Sequence, residues 1–398
     1  MQLIRQPIYD RNLRPFMVIW ETTQACDLAC KHCRAESHPE HDPNALSYVE
    51  GKKLIDQILE FGTPNPMFVM TGGDPFKRDD IFELTEYAAQ RGLPVALSPS
   101  GTPLLNSKSL ERIQEAGCKA ISLSLDGSNA EIHDTFRGVP GSFNWTVNGW
   151  KTARELGLKI QINTTVTRYN LYDLPDIFGL VREIGAMTWS VFFLVPTGRG
   201  LKEDEISPDE YEAVMHFLYD ASKFIGLKTT EGHHFKRVVL QRAYLEKYNL
   251  PVKDYFPLNG VYTSLMNRLA EVVASQPDAQ PARDHIRRTP MHINAADGFV
   301  FVSLLGEVFP SGYLPMSGGN IRNTSLKEIY QNSPMFQSLR NKEELKGRCG
   351  RCEYNQVCGG SRSRAYAVTG DFLAEEPYCA YVPGSFPFSS LIEALSSS

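Results

Sequence analysis

Three cysteines fall close together near the start of this 398-residue chain: Cys26, Cys30 and Cys33, in the stretch ETTQACDLACKHCRAESHP. Clustered thiols in a reducing compartment are metal ligands or catalytic groups more often than disulfide partners. A tetrahedral zinc site would need a fourth ligand, for which His32, His38 and His41 stand nearby. The other reading is a [4Fe–4S] cluster with three irons held by thiolate and one left for something else. Near the other end, Cys349, Cys352, Cys358 and Cys379 form a C-x2-C-x5-C-x20-C pattern. Four thiolates could close a zinc site or hold a cubane completely. Cys118, in EAGCKAISL, stands alone where a helix gives way to a strand, as a small buried apolar residue does.

The elements that must position these groups alternate from residue 16 to about 225. Strand-like runs are FMVIWE, MFVMTG, PVALSP, AISLSL, KIQINTTV and TWSVFFLVP. Helix-like segments follow them at roughly 47–61, 78–91, 107–116, 142–156, 173–185 and 208–225, several closed by glycine. This alternation predicts a parallel α/β sheet, and six units are too few for an eight-fold barrel, so the expected form is open or partial. The unusual segments all follow strands: the cysteine triplet, TGGDP, SPSGT, SLDGS, NTTVT and VPTGRG. In parallel folds the carboxyl ends of strands are where sites are built, so six segments point to one rim.

Beyond the alternation, residues 226–290 read as a helical or loop-like linker or rim cover, with EGHHFKRVVLQRAYLEKY helical and QPDAQPARDHIRRTP a loop. GFVFVSLLGEVFPSG reads as a hairpin turning near Leu305-Gly306, and SLKEIYQNSPMFQSLRN as helix broken or restarted at Pro334. The expected domains are therefore 1–225, a smaller one at 291–385, and a loose tail at 386–398. A formal net charge of −5 argues against an extended nucleic-acid surface. No apolar run is long enough to span a membrane, and the start lacks the apolar core of a secretion signal. The expected location is the cytoplasm.

The C-x3-C-x2-C spacing, with aromatic-type His32 before the last cysteine, resembles the signature of the radical S-adenosylmethionine (SAM) superfamily. That resemblance implies a partial (β/α)6 barrel whose cluster leaves one iron for the amino and carboxylate groups of SAM. It further implies reductive cleavage of SAM to a 5′-deoxyadenosyl radical that takes hydrogen from the substrate. Carried over residue by residue, the SAM contacts are His32, Gly72, Gly73 and Asp74 of TGGDP, Ser98 or Ser100 of SPSG, Ser124 of SLDG, and Arg137 of HDTFRG. Asp74 departs from the family, which usually has Glu there.

The second cysteine group, with GEVFPSG and CGGSRSRAYA, resembles the SPASM or twitch extensions that hold auxiliary [4Fe–4S] clusters. Ser361 stands where a cysteine often follows the paired glycines, so one auxiliary cluster on Cys349, Cys352, Cys358 and Cys379 is expected. Two clusters in all are then expected, with an external low-potential donor such as flavodoxin or ferredoxin. FFLVPTGRG, KTTEGHHF and the C-terminal segment look most like the tetrapyrrole branch, whose members act on propionates of iron porphyrins. That would give Arg199, His233, His234 and Arg237 roles in binding carboxylates or iron. The alternatives are maturation of a ribosomally made peptide or of another cofactor and, from a different class, a metal-stabilised scaffold or electron carrier. No separate peptide-docking segment is evident before the first strand, which weighs against the peptide.

Overall fold

The computed structural model describes residues 3–258, 260–277 and 290–390. Its strands are β1 Met17–Thr23, β2 Met67–Gly72, β3 Val95–Leu97, β4 Ala120–Ser124, β5 Lys159–Val166, β6 Thr188–Phe193, β7 Leu227–Thr230, β8 Phe299–Val302 and β9 Val308–Phe309. They form one sheet in the order β7-β6-β5-β4-β3-β2-β1-β8-β9. All neighbouring pairs from β7 to β8 are parallel, and only β8 with β9 is antiparallel.

Alternation explains the strands. In β5, Ile160, Ile162, Thr164 and Val166 are buried, while Gln161, Asn163 and Thr165 between them are half-buried on the opposite face. The buried set joins Trp20, Phe68, Trp150, Phe178 and Trp189 in the main core beneath the helices. Helices Tyr48–Leu59 and Pro208–Ala221 both start on capping boxes, Ser47 with Glu50 and Ser207 with Glu210. Each such cap stabilises its helix by about 1 kcal/mol.

Two features depart from the sequence reading. Part of the segment read as linker or rim cover belongs to the sheet: β7 pairs with β6, and helix Gly260–Ser275 packs on helices Leu174–Ile184 and Pro208–Ala221. The four residues LKTT carry too few apolar side chains to announce a strand; residues 278–289 of that segment lie outside the described residues. The C-terminal part also joins the same sheet, since β8 pairs with β1 from Met17↔Phe299 to Trp20↔Val302. The hairpin turns at Gly306, as expected, with φ of 83°. Phe386, the first residue of the expected tail, is buried against Tyr244 and Phe256, whereas residues 391–398 lie outside the described residues.

Candidate active site

β1 ends at Thr23, and the cysteine loop that follows is tied down on three sides. From β2, the amides of Gly73 and Asp74 donate to the carbonyls of Thr23 and Ala25 at 2.8 and 2.7 Å. This approach demands glycine: a Cβ on Gly73 would lie 2.5 Å from the carbonyl oxygens of both Gln24 and Ala25, and one on Gly72 2.2 Å from that of Thr23. From helix Ala130–Arg137, the carbonyls of Phe136 and Arg137 accept from Lys31 and Ala29 at 3.0 and 3.1 Å. From the segment after β6, Arg199 donates Nε to Cys30 O and Nη1 to Ser37 O, both at 2.9 Å, and its amide to Cys33 O at 2.9 Å.

These ties gather Cys26, Cys30 and Cys33 and aim donors at their sulfurs. Leu28 N lies 3.4 Å from Cys26 Sγ, Ser37 N 3.5 Å from Cys33 Sγ, and Arg137 Nη1 3.6 Å from Cys30 Sγ. Burial pushes the Cys26 thiol up to about 11 and raises that of Cys30, against the opposing pull of Arg137. At Cys33 burial also pushes upward, but the Ser37 hydroxyl and amide together with Arg199 outweigh it and the thiol is lowered. Burial alone favours the protonated thiol; the donors oppose it at all three sulfurs and outweigh it at Cys33, favouring there the thiolate that binds iron.

The residues expected to touch SAM divide into two sets. His32 stacks on Phe136 with centroids 4.4 Å apart and planes 11° apart, and its Nδ1 has no partner. Burial lowers its pKa to about 4, so the ring is neutral. Ser100 lies beside Cys26, with the Cys26 thiol 3.6 Å from its Oγ, and donates that Oγ to Gly73 O at 2.6 Å. Ser98 pairs with Ser122, and Ser124 closes β4 opposite Asn163.

Asp74, another of the residues expected to touch SAM, is held by its neighbours. It is wholly buried, and its carboxylate accepts from Thr102 Oγ1 at 2.7 Å, Phe76 N at 3.1 Å and Ser100 N at 3.4 Å. Burial pushes its pKa up to about 6. Being one methylene shorter than Glu, it ends among these donors and organises the turn from within. Arg137 likewise is engaged, since Nη2 donates to the Asp126 carboxylate.

Asp126 was missed from the sequence. It is fully buried, accepts from Arg137 and from Thr165 N at 2.7 Å, and joins Lys31, Phe136 and Asn170 in lining a cleft beside the cysteine loop. Its signal was present in SLDG, where the aspartate follows β4 on the shared rim. Tyr313, on the loop after β9, was also missed. Arg34, Glu231, Cys33 and Asp126 lie within electrostatic reach of it, and burial raises its hydroxyl to about 12. The same loop runs close to Arg34, since a Cβ on Gly312 would lie 3.2 Å from its Nε.

The second cysteine group surrounds a cavity. Cys349, Cys352, Cys358 and Cys379 line it together with His234 and Arg237. Glu376 N lies 3.2 Å from Cys349 Sγ and Gly360 N 3.4 Å from Cys358 Sγ. Burial pushes Cys352 up to about 11 and Cys358 and Cys379 up to about 12. All eight cysteines are free, and no set of three His, Cys, Asp or Glu among the described residues could hold a single metal ion. Four thiols lining one cavity are a donor set that can hold a cubane.

The four expected substrate contacts are placed differently. Arg199 staples the cysteine loop. Arg237 is 1 % exposed and bidentate to Glu212, at 2.9 and 2.5 Å, with Gln241 at 2.8 Å, so its charge is already matched. His233 is half-buried, and burial with Lys236, Lys342 and Arg362 holds its pKa well below the ordinary value. His234 faces the second cavity. Adjacent positions on the turn into helix Phe235–Lys247 send the two rings apart.

Arg362 and Arg364 are wholly buried. Arg362 Nη2 lies 3.8 Å from Cys349 Sγ. Arg364 spans the two parts of the chain, donating to Leu194 O and Glu231 O at 2.9 Å and to Glu376 at 3.1 Å. Ser361, in place of a further cysteine, caps helix Arg362–Thr369 and donates to Glu231.

Residues 20–181 match the radical SAM superfamily, and residues 294–353 match SPASM, an iron–sulfur cluster-binding domain. An AdoMet-dependent heme synthase of Methanosarcina barkeri is 41% identical over 93% of this chain and 97% of its own length. One of Nitratidesulfovibrio vulgaris is 42% identical, covering 92% of each. Among solved structures, Streptococcus suis SuiB bound to the precursor peptide SuiA shares the fold, with a TM-score of 0.63 at 14% identity over 94% of this chain and 76% of that one. Fold, paired cysteine sites and relatives agree: the chain belongs to the radical SAM superfamily, as an enzyme with a SPASM iron–sulfur domain, [4Fe–4S] clusters and SAM as its cofactors.

Proposed function

We propose that this enzyme acts on propionate side chains of an iron porphyrin: abstraction of a hydrogen atom by the SAM-derived radical, then loss of CO2 and of one electron to an acceptor such as the auxiliary cluster, would leave a vinyl group, as in heme formation. The supporting observation is likeness to heme synthases at 41% and 42% identity across nearly the full length of both chains. Cys26, Cys30 and Cys33 would hold the cluster that meets SAM, and Cys349, Cys352, Cys358 and Cys379 the auxiliary one. When bound, the first cluster supplies the electron that cleaves SAM and so the radical that takes hydrogen from the substrate.

The chain's own contribution is placement. Arg199, Gly73 and helix Ala130–Arg137 fix the loop that presents one open side. His32 on Phe136 offers a neutral aromatic face beside it, with Ser98, Ser100 and Ser124 on the same rim for polar contacts. Arg34 pairs with Glu21 at 3.0 Å and lies over Phe301, beside Tyr313. Arg34, Arg199 and Arg237 each already have a protein partner, so a propionate would meet any of them only by sharing that partner. Flavodoxin or ferredoxin would supply the electron, and the site of action would be the cytoplasm; among the described residues no helix is long and apolar enough to cross a membrane.

The test is incubation of the anaerobically reconstituted enzyme with iron-coproporphyrin III, SAM and a strong reductant. Loss of carboxylate mass from the porphyrin together with 5′-deoxyadenosine is the expected result. SAM cleavage without porphyrin turnover would reject the substrate and leave the reaction class standing.

A further inference from the structure

His234 is 1 % exposed, and neither Nδ1 nor Nε2 has a hydrogen-bond partner. An orphaned buried donor costs about 1–3 kcal/mol, so a buried imidazole with none satisfied calls for a partner outside the polypeptide. Two sides of the ring are closed by aromatic surface: Phe193 at 6.3 Å and Tyr211 at 5.8 Å between centroids. Another side borders the cavity lined by Cys349, Cys352, Cys358 and Cys379. Burial keeps the ring neutral, which leaves it one N–H donor and one lone pair.

The acceptors on this cavity are the four sulfurs and the Glu376 carboxylate, and Glu376 already accepts from Ser361 N at 2.7 Å and Arg364 Nη1 at 3.1 Å, which leaves the sulfurs for such a donor. Backbone amides already serve Cys349 and Cys358, from Glu376 and Gly360. Arg237 also lines the cavity, but Glu212 and Gln241 occupy its guanidinium. His234 is thus a neutral side-chain donor in the cavity wall whose hydrogen-bonding capacity the protein leaves unused.

We propose that His234 donates its ring N–H to a sulfur of the auxiliary [4Fe–4S] cluster and so raises the reduction potential of that cluster. This rests on the assignment of a cluster to these four cysteines. Reduction adds negative charge to the cluster, and a donor on sulfur stabilises the reduced form more than the oxidised one. His234 is therefore a positioning residue: it acts through the cluster and favours uptake of an electron there.

The experiment uses the full chain with Cys26, Cys30 and Cys33 replaced by alanine, so that one cluster of about four irons remains. Its midpoint potential is measured by electron paramagnetic resonance during a redox titration, with His234 intact, as His234→Phe and as His234→Gln. The expected result is a more negative potential for His234→Phe and an intermediate one for His234→Gln, which retains a donor. Equal potentials at equal iron content overturn the proposal. Should His234→Phe fail to take up iron, hyperfine spectroscopy of the chain with 15N-labelled histidine decides. Weak nitrogen coupling to the reduced cluster that is lost in His234→Gln supports the hydrogen bond, and its absence overturns it. A triple variant without iron overturns the cluster assignment and this proposal together, whereas iron with unshifted potentials overturns this proposal alone.

Discussion

Arg137 bridges Asp126 and Cys30: Nη2 donates to the buried carboxylate while Nη1 stands 3.6 Å from the sulfur. One guanidinium thus neutralises a wholly buried aspartate and points a donor at the Cys30 sulfur. Its own charge state is fixed, since Asp126 and the Cys30 sulfur outweigh burial and raise its pKa. Removing one partner of a buried ion pair typically costs about 3–5 kcal/mol, because the other is left charged and unmatched. Arg137→Ala should therefore lower the thermal midpoint strongly, and Arg137→Ala with Asp126→Asn less so. Anaerobic thermal unfolding of the three chains checks this; equal losses in both variants would contradict it.

The loop's dependence on glycine gives a sharper test. Gly73→Ala places a methyl 2.5 Å from two carbonyl oxygens, both backbone, so the cysteine loop has to move. Overpacking of this kind costs about 1–3 kcal/mol. Iron should fall from about eight to about four per chain, the auxiliary cluster remaining. Formation of 5′-deoxyadenosine should fall with it. Iron analysis and the SAM cleavage assay read the two outcomes.

The two cysteine groups should separate by assay. Cys352→Ala is expected to spare SAM cleavage while blocking porphyrin turnover. Arg199→Ala, which removes two side-chain hydrogen bonds to the carbonyls of Cys30 and Ser37, should instead weaken the first site. Chromatography of 5′-deoxyadenosine and of the porphyrin product from the same reaction distinguishes them.

A buried acid couples the two parts of the chain to pH. Burial pushes Glu205 up to about 7 against the pull of Arg364 and Tyr211, so the folded state holds a proton that the unfolded chain releases near its ordinary value of about 4.3. Between those values the folded state binds more protons. Stability is therefore greatest at the low end of this window, falls as pH rises through it, and levels off above about 7. The contribution is on the order of 3 kcal/mol, and Glu205→Gln should flatten it. Thermal midpoints from pH 5 to 8 measure the slope; a wild-type chain and variant of equal slope would contradict the assignment.

Much of this arrangement was legible before folding, for local reasons. KIQINTTV read as a strand, glycine closed the helices, and C-x3-C-x2-C set three thiols on one loop. What escaped depended on long-range partners. β7 is four residues, LKTT, half of them threonine, and its strand character comes from pairing with β6. The β1–β8 pairing joins residues nearly 300 positions apart, which no window of sequence contains. Helix Ala130–Arg137, capped by Asn129, was hidden by its length of two turns. Arginines were legible as cations but not as satisfied ones: Arg237 looked free for a carboxylate until Glu212, on the preceding helix, was found against it. The same held for Asp74, whose partners Thr102 and Ser100 come from the loop after β3.

A cluster on Cys26, Cys30 and Cys33 is expected to keep one iron for SAM. This expectation is tested most directly by electron–nuclear double resonance on the reduced Cys352→Ala chain with SAM carrying 15N at its amino group. Strong coupling from that label, appearing when SAM is added, is the predicted result. A coordinated protein nitrogen already present without SAM, and unchanged by it, would contradict the account.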